Sequence, residues 1–293
     1  MSVKSAELRS GKGSGDENFP VASLLVRARH RPAILTFYEF VRVADDIADH
    51  AGLAPQEKLA RLDALEATLL GRSDAEPQGV ALREVLRRRG LTSRHAQDLL
   101  AAFRMDVTKL RYADWNDLMG YCALSAMPVG RFVLDVHGES HTTWLASDAL
   151  CAALQIINHL QDCAADYRNL DRVYVPLDVL SAVGLGVEAL KAPRAGEALL
   201  RCLRGLVDRV TLLMTESRPL PMQTQDTRLA MEISAIQALA DRLIGFLKLR
   251  DPLSETVHLR KSEMLFTSGA GALRILSRRI WRIAAPSFSA ARP

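Results

Sequence analysis

Apolar residues recur at helical spacing along most of the chain. Leu59, Leu62, Leu65 and Leu69 fall three or four apart with charges between them, and Leu229, Ile233, Ile236, Leu243 and Leu247 repeat the pattern. Stretches 33–50, 94–109, 116–138 and 145–168 are richly apolar and carry few breakers. No convincing run alternates apolar and polar positions as a half-buried strand does, and no Asn-Gly hairpin signal is present. Breaker residues cluster at 51–55, 71–79, 90–93, 138–143, 193–196 and 219–224. They predict roughly eight to ten helices. With no fixed-period repeat and no linker, one all-α domain over residues 18–271 is the simplest account.

The two ends read differently. Residues 1–17 are polar and Gly/Ser-rich with no apolar h-region, which predicts a flexible tail and not a signal peptide. In 272–293, Leu273, Leu276, Ile280 and Ile283 lie along one side of a helix. Arg274, Arg278 and Arg282 form a row on another, next to Arg279. Pattern alone favours an ordinary surface helix packing that stripe on the core. A basic amphipathic helix can also lie on an anionic membrane surface, and an oily substrate would favour that reading. No run of about eighteen apolar residues exists to span a membrane. The expected location is the cytoplasm, with peripheral contact at the inner membrane face if the tail docks there.

Composition narrows the class. Hydrophobic residues make up 48% and charged residues 25%, enough apolar side chains for a sizeable core. The formal net charge of +4 suits an anionic partner without choosing one. Basic residues are scattered and not interleaved with aromatics, which argues against nucleic-acid binding. Cys122, Cys151, Cys163 and Cys202 form no CxxC pair and read as small buried residues in a reducing compartment.

Two aspartate pairs carry the candidate chemistry. Asp45 and Asp49, in Asp45-Asp46-Ile47-Ala48-Asp49, are i and i+4 and share one helix face. Such like charges weaken a helix by a few tenths of a kcal/mol, so the face is either solvated or used to bind cations. Magnesium commonly takes one or two protein carboxylates plus phosphate oxygens of a substrate. For a lone motif, a solvated acidic helix end is the commoner explanation. Asp162 and Asp166 form a second i,i+4 pair. With Gln155 and Asn158 they make a polar stripe along an otherwise apolar helix. Polar groups there must be paired or face a wet or charged cavity. Arg168 and Arg172 follow, with Tyr167 and Tyr174. Carboxylates for a metal beside guanidiniums for phosphate are what diphosphate chemistry needs. The alternative, a salt-bridged helix end, explains one pair far better than two.

Phe37, Tyr38 and Phe40 precede the first pair, and Tyr121 opens Tyr121-Cys122-Ala123-Leu124-Ser125-Ala126-Met127-Pro128-Val129-Gly130. Aromatic faces can stabilise a carbocation, although most of these residues read equally as core. Pro128 and Gly130 predict a kink that could form a cavity wall. The seven histidines show no ligand or triad spacing, and neither GxGxxG, a Walker loop nor GxSxG is present.

In combination these segments resemble the squalene/phytoene synthases, from about Asn18 to about Arg250. The strongest matches are Tyr38 to Asp49, Tyr121 to Gly130 and Gln155 to Pro176, the last including Asn158-His159-Leu160-Gln161-Asp162 and Asp171-Arg172-Val173-Tyr174-Val175-Pro176. Within the family, Asn18-Phe19-Pro20-Val21-Ala22-Ser23 looks like the bacterial hydroxysqualene synthases of hopanoid pathways. The resemblance implies a single-domain isoprenoid synthase fold, a central helical bundle around a cavity. It implies ionisation of presqualene diphosphate, rearrangement of the cyclopropylcarbinyl cation and capture by water, with no reductant.

The family's Mg2+ positions match Asp45, Asp49, Asp162 and Asp166. Diphosphate contacts match Arg42 and Arg172, with Gln155 and Asn158 nearby, and cavity tyrosines match Tyr38 and Tyr121. Asp45 and Asp162 are thereby expected to be catalytic together with both tyrosines. Two departures stand out: Gln161 replaces a frequent Arg, and Ala164-Ala165 replaces a frequent Gly-Glu of condensing enzymes. Alternatives are a head-to-head condensing enzyme acting on farnesyl diphosphate and a non-catalytic assembly factor of the same fold. The complete aspartate pairs rank the last well below. Contact with other enzymes of the squalene pathway is a further expectation.

Overall fold

The computed structural model describes residues 25–284. The tail expected over 1–17, the Asn18–Ser23 segment and residues 285–293 lie outside them. Among the described residues there is no strand. The nearest to one is an isolated parallel bridge between Arg111 and Val173.

Helices α1 (Arg31–Asp49), α2 (Pro55–Leu69), α3 (Pro77–Arg89) and α4 (Arg94–Thr108) pack around one apolar cluster, which includes Phe37, Phe40, Ile47, Leu62 and Leu99. The second cluster is built by α5 (Trp115–Ser125), α6 (Met127–His137), α7 (Trp144–Leu170), the short α8 (Leu177–Ser181), α9 (Glu197–Ser217), the short α10 (Leu220–Gln223) and α11 (Thr227–Leu249). Helix α12 (Lys261–Ala284) lies mainly on α11. The expected helix number fits the ten helices of eleven residues or more among those described.

Local chemistry sets the boundaries. Prolines at the first turns of α1, α2 and α3 occupy positions whose N–H has no helical partner. Gly90 and Gly138 end α3 and α6 in the left-handed region, at φ 64° and 72°. The Asp226 carboxylate accepts from the backbone N–H of Arg228 and Leu229 to open α11, a cap worth about 1 kcal/mol. The stretch 116–138 is broken at Ala126, where Pro128 starts α6. Gly130 then lets α6 approach α7: a Cβ there would lie 2.5 Å from Cys151 Sγ and Ser147 Oγ.

The division expected between residues 271 and 272 falls inside α12, which begins at Lys261. The stripe expected to pack is also turned outward: Leu273 and Ile280 are exposed, while Ala272 and Ile275 are buried.

Candidate active site

A cavity of about 540 Å³ lies on the seam between the two apolar clusters. Ile34, Phe37 and Leu99 line it from one cluster, and Leu134, Leu150, Leu229 and Ile233 from the other. Its carboxylates are Asp45 and Asp49 toward the end of α1, Asp106 in the last turn of α4, Asp162 and Asp166 in the last third of α7, and Glu232 of α11. Asp49 and Asp106 lie in last turns, where the helix C-terminus adds partial negative charge, and with Asp45, Asp162 and Asp166 they make a cation-attracting end.

Cations already present answer part of this charge. Arg42 donates from Nη1 to Asp45 Oδ2 at 2.6 Å and from Nη2 to the buried Asp46 Oδ1 at 2.8 Å. Arg172 donates from Nη1 to Asp49 Oδ1 at 2.6 Å and from Nε to the Asp106 carbonyl at 3.1 Å. Although burial works against its charge, the Asp49 and Asp106 carboxylates hold it firmly protonated. Lys58 donates to the Ala48 carbonyl at 2.8 Å. Among the described residues, six aspartates, counting Asp46, thus stand with three cations.

The imbalance shows in the carboxyls. Asp45 is pushed up to about 7, first by burial and then by Asp49, with Arg42 opposing. Its side chain keeps 33% of its surface accessible, and it lines the cavity, so this burial is enclosure within the protein and not contact on every side. Asp166 is raised to about 7 by burial and then by Asp162. His258 Nε2 stands 3.8 Å from Asp162 Oδ1.

Beneath these groups lies a ring cluster. Tyr121 and Tyr174 donate their hydroxyls to Asp106 Oδ2 and Oδ1 at 2.9 and 3.0 Å. Burial, opposed by Arg172 and the two hydroxyls, raises the Asp106 carboxyl to about 6. His159 stacks on Tyr174 at 3.5 Å between centroids, and its Nε2 pairs with the Gln155 side-chain nitrogen at 3.0 Å. Burial and then Arg172 lower it to about 3, so it is neutral. The Arg111–Val173 bridge explains this arrangement. It holds the segment after α7 extended, with Val173 N–H donating to the Leu110 carbonyl at 2.9 Å. In extended chain, alternate residues share a side, so Arg172 and Tyr174 both reach Asp106.

Tyr38, Arg42, Asp45, Asp49, Tyr121, Gln155, Asn158, Asp162, Asp166 and Arg172, the residues singled out in the sequence, all line this cavity. Arg168 is exposed and Tyr167 is buried elsewhere, under Arg111 and Lys191. Phe40 is core, whereas Phe37 stacks on Phe132 at 3.9 Å and lines the cavity. Gln161 faces away from it and donates to the Val257 carbonyl at 3.0 Å. Asp106, His159 and Lys58 went unrecognised. The one signal for Asp106 is an acid among the apolar residues of α4.

The donor set is all oxygen, which suits a hard divalent cation. Among the described residues, no three His, Cys, Asp or Glu side chains gather into a complete metal site. An ion held by these aspartates would take its remaining ligands from water and a bound phosphate.

An all-α shell around an acid-tipped apolar cavity defines the class, an isoprenoid synthase fold. The squalene synthase HpnC from Alicyclobacillus acidocaldarius shares it with a TM-score of 0.71 at 32% identity, over 83% of this chain and 91% of that one. A dehydrosqualene synthase, at 19% identity and TM-score 0.77, has the same fold over 93% of this chain and 96% of its own. The family model for squalene/phytoene synthase matches residues 13–263. A hydroxysqualene synthase of Rhodopseudomonas palustris is 58% identical over 277 residues, 94% of this chain and 95% of the relative. One from Zymomonas mobilis is 46% identical over 276 residues, 92% and 93% of the two. The chain belongs to the squalene/phytoene synthase family and is an enzyme of it.

Proposed function

We propose that this enzyme is a hydroxysqualene synthase, converting presqualene diphosphate and water to hydroxysqualene and diphosphate. The observation that carries the reading is near-full-length identity of 58% and 46% to two hydroxysqualene synthases. The acid-tipped apolar cavity supports it: a C30 diphosphate has one polar end and two long apolar chains.

The cofactor we propose is Mg2+, held by Asp45, Asp49, Asp162 and Asp166. When bound it would neutralise charge on the leaving diphosphate. Arg42 and Arg172 donate to the diphosphate oxygens, with Gln155 and Asn158 beside them. The C–O bond breaks and its electron pair leaves with the diphosphate. The apolar walls hold the rearranging chain and exclude all but the capturing water. Tyr38 and Tyr121 line the cavity, where their electron-rich rings would stabilise the cation. Water adds its oxygen to the carbon and passes a proton to the departed diphosphate, which completes the balance without a reductant.

The test is a product assay with Mg2+ and no nicotinamide, using presqualene diphosphate in one tube and farnesyl diphosphate in the other. Hydroxysqualene from the first and nothing from the second is expected. Presqualene diphosphate or a C30 polyene from the second would make the enzyme a condensing synthase. No turnover of either, with no Mg2+-dependent binding, would favour an assembly factor.

A further inference from the structure

We propose that the Ser125 hydroxyl, with Gln155 opposite, holds the water that captures the carbocation. The inference rests on the hydroxysqualene reading and adds to it the group that positions the nucleophile. Ser125 is the last residue of α5 and lines the cavity. Four other helical hydroxyls, those of Thr36, Thr68, Thr108 and Thr211, donate to the carbonyl four residues back. Ser125 makes no such bond. Its Oγ is buried and has no hydrogen-bond partner among the described residues. A buried hydroxyl in that state is costly unless a ligand pairs with it. With no bond to hold it, it can turn about χ1 toward the cavity. Ser147, a second serine lining the cavity, is committed to Cys151.

The level of this hydroxyl in the cavity follows from its neighbours. Four residues before it, the Tyr121 ring lies 6.0 Å from the ring of His159 on α7. Five residues after it, Gly130 abuts Cys151 of α7. Between those levels α7 presents Leu154 and Gln155 to the cavity. Gln155 gives its side-chain nitrogen to the neutral His159, which leaves its Oε1 as an acceptor. Tyr121 belongs to the polar end through Asp106, so Ser125 stands one helical turn, about 5.4 Å, further into the apolar part. In the proposed reaction the bond from carbon to diphosphate breaks at that boundary. Val129, Val133 and Leu154 line the cavity there and offer a water no hydrogen bond. The Ser125 hydroxyl donates to the water oxygen, and the water donates one O–H to Gln155 Oε1. The remaining lone pair of the water adds to the cationic carbon and forms the C–O bond. The other O–H bond breaks, its electron pair stays on oxygen, and the proton passes to the departed diphosphate. Neither Ser125 nor Gln155 changes its own protonation.

The experiment measures diphosphate release and C30 products side by side, using the full chain with Mg2+ and presqualene diphosphate. In Ser125→Ala and Ser125→Val, diphosphate release should stay within about threefold of wild type, because ionisation does not need the water. The share of hydroxysqualene should fall at least about tenfold, replaced by a polyene from proton loss or by alcohols from capture at another carbon. Ser125→Thr keeps the hydroxyl and should keep hydroxysqualene as the main product. A crystal structure of wild type should show an ordered water bridging Ser125 Oγ and Gln155 Oε1. An unchanged product ratio in both the alanine and valine variants, with wild type making hydroxysqualene, would overturn this inference and leave the reaction standing. So would release and alcohol falling in proportion, which marks a role in ionisation or folding, or a Ser125 hydroxyl bonded to the Tyr121 carbonyl with no water on it. If wild type made no hydroxysqualene, the reading of the reaction would fail and the inference with it.

Discussion

The carboxylates of the cavity are costly to the fold and useful to the chemistry. Asp45→Asn or Asp162→Asn removes charge from a site without removing volume from the core. Turnover should fall by orders of magnitude while circular dichroism and melting temperature stay near wild type. Near-normal kcat in either variant would refute the metal assignment. Asp106 differs, because it holds two tyrosine hydroxyls and does not reach solvent freely. Its carboxyl, raised to about 6 by burial, binds its proton more tightly in the folded chain than in the unfolded one. Stability associated with that proton is present below about pH 4 and lost as pH rises to about 6. Melts of metal-free protein across this range should therefore show wild type losing stability relative to Asp106→Asn as pH increases. A gap independent of pH would mean that Asp106 titrates normally.

At the scale of elements, two glycines set helix spacing with unequal tolerance. The atoms a Cβ would meet at Gly130 are the ends of Cys151 and Ser147 side chains, which can rotate away. At Gly271 they are backbone of α11, which cannot. Gly130→Ala should thus be close to neutral, since helix propensity recovers up to about 1 kcal/mol. Gly271→Ala should destabilise by about 1–3 kcal/mol and loosen α12, as judged by thermal melts and limited proteolysis of the α11–α12 link. Equal effects at both sites would contradict the packing described. The break at Ala126 belongs to this scale too. It redirects the chain so that Tyr121 on α5 and Val133 on α6 both line the cavity.

For the whole molecule, the six aspartates and three cations gathered there among the described residues leave an excess of negative charge that ligands can relieve. Mg2+ and inorganic diphosphate together should raise the melting temperature more than the sum of their separate effects, because each supplies what the other needs. Additive shifts would argue that the ion and the diphosphate do not share this site. Chelation should abolish turnover yet leave far-UV circular dichroism unchanged, since neither apolar cluster includes the aspartates that would hold the ion.

What the sequence by itself determined is whatever depends on short range. Helical period places Asp45 with Asp49 and Asp162 with Asp166, and breakers mark most helix ends, because a helix relates residues only three or four apart. It also legibly carried the family through contiguous segments around these pairs. What only tertiary structure decided involves contacts remote in the chain. Arg172 reaches Asp49 across 123 residues, and Tyr174 reaches Asp106 across 68. No local pattern distinguishes Asp106 from a surface acid, or Gln161 facing a loop from Gln155 facing the cavity. The tail shows the same limit. Its amphipathic period was readable, but which side meets the protein depended on the close approach at Gly271. A hydrophobic stripe states that a face avoids water, while the packing of its neighbours settles what covers it.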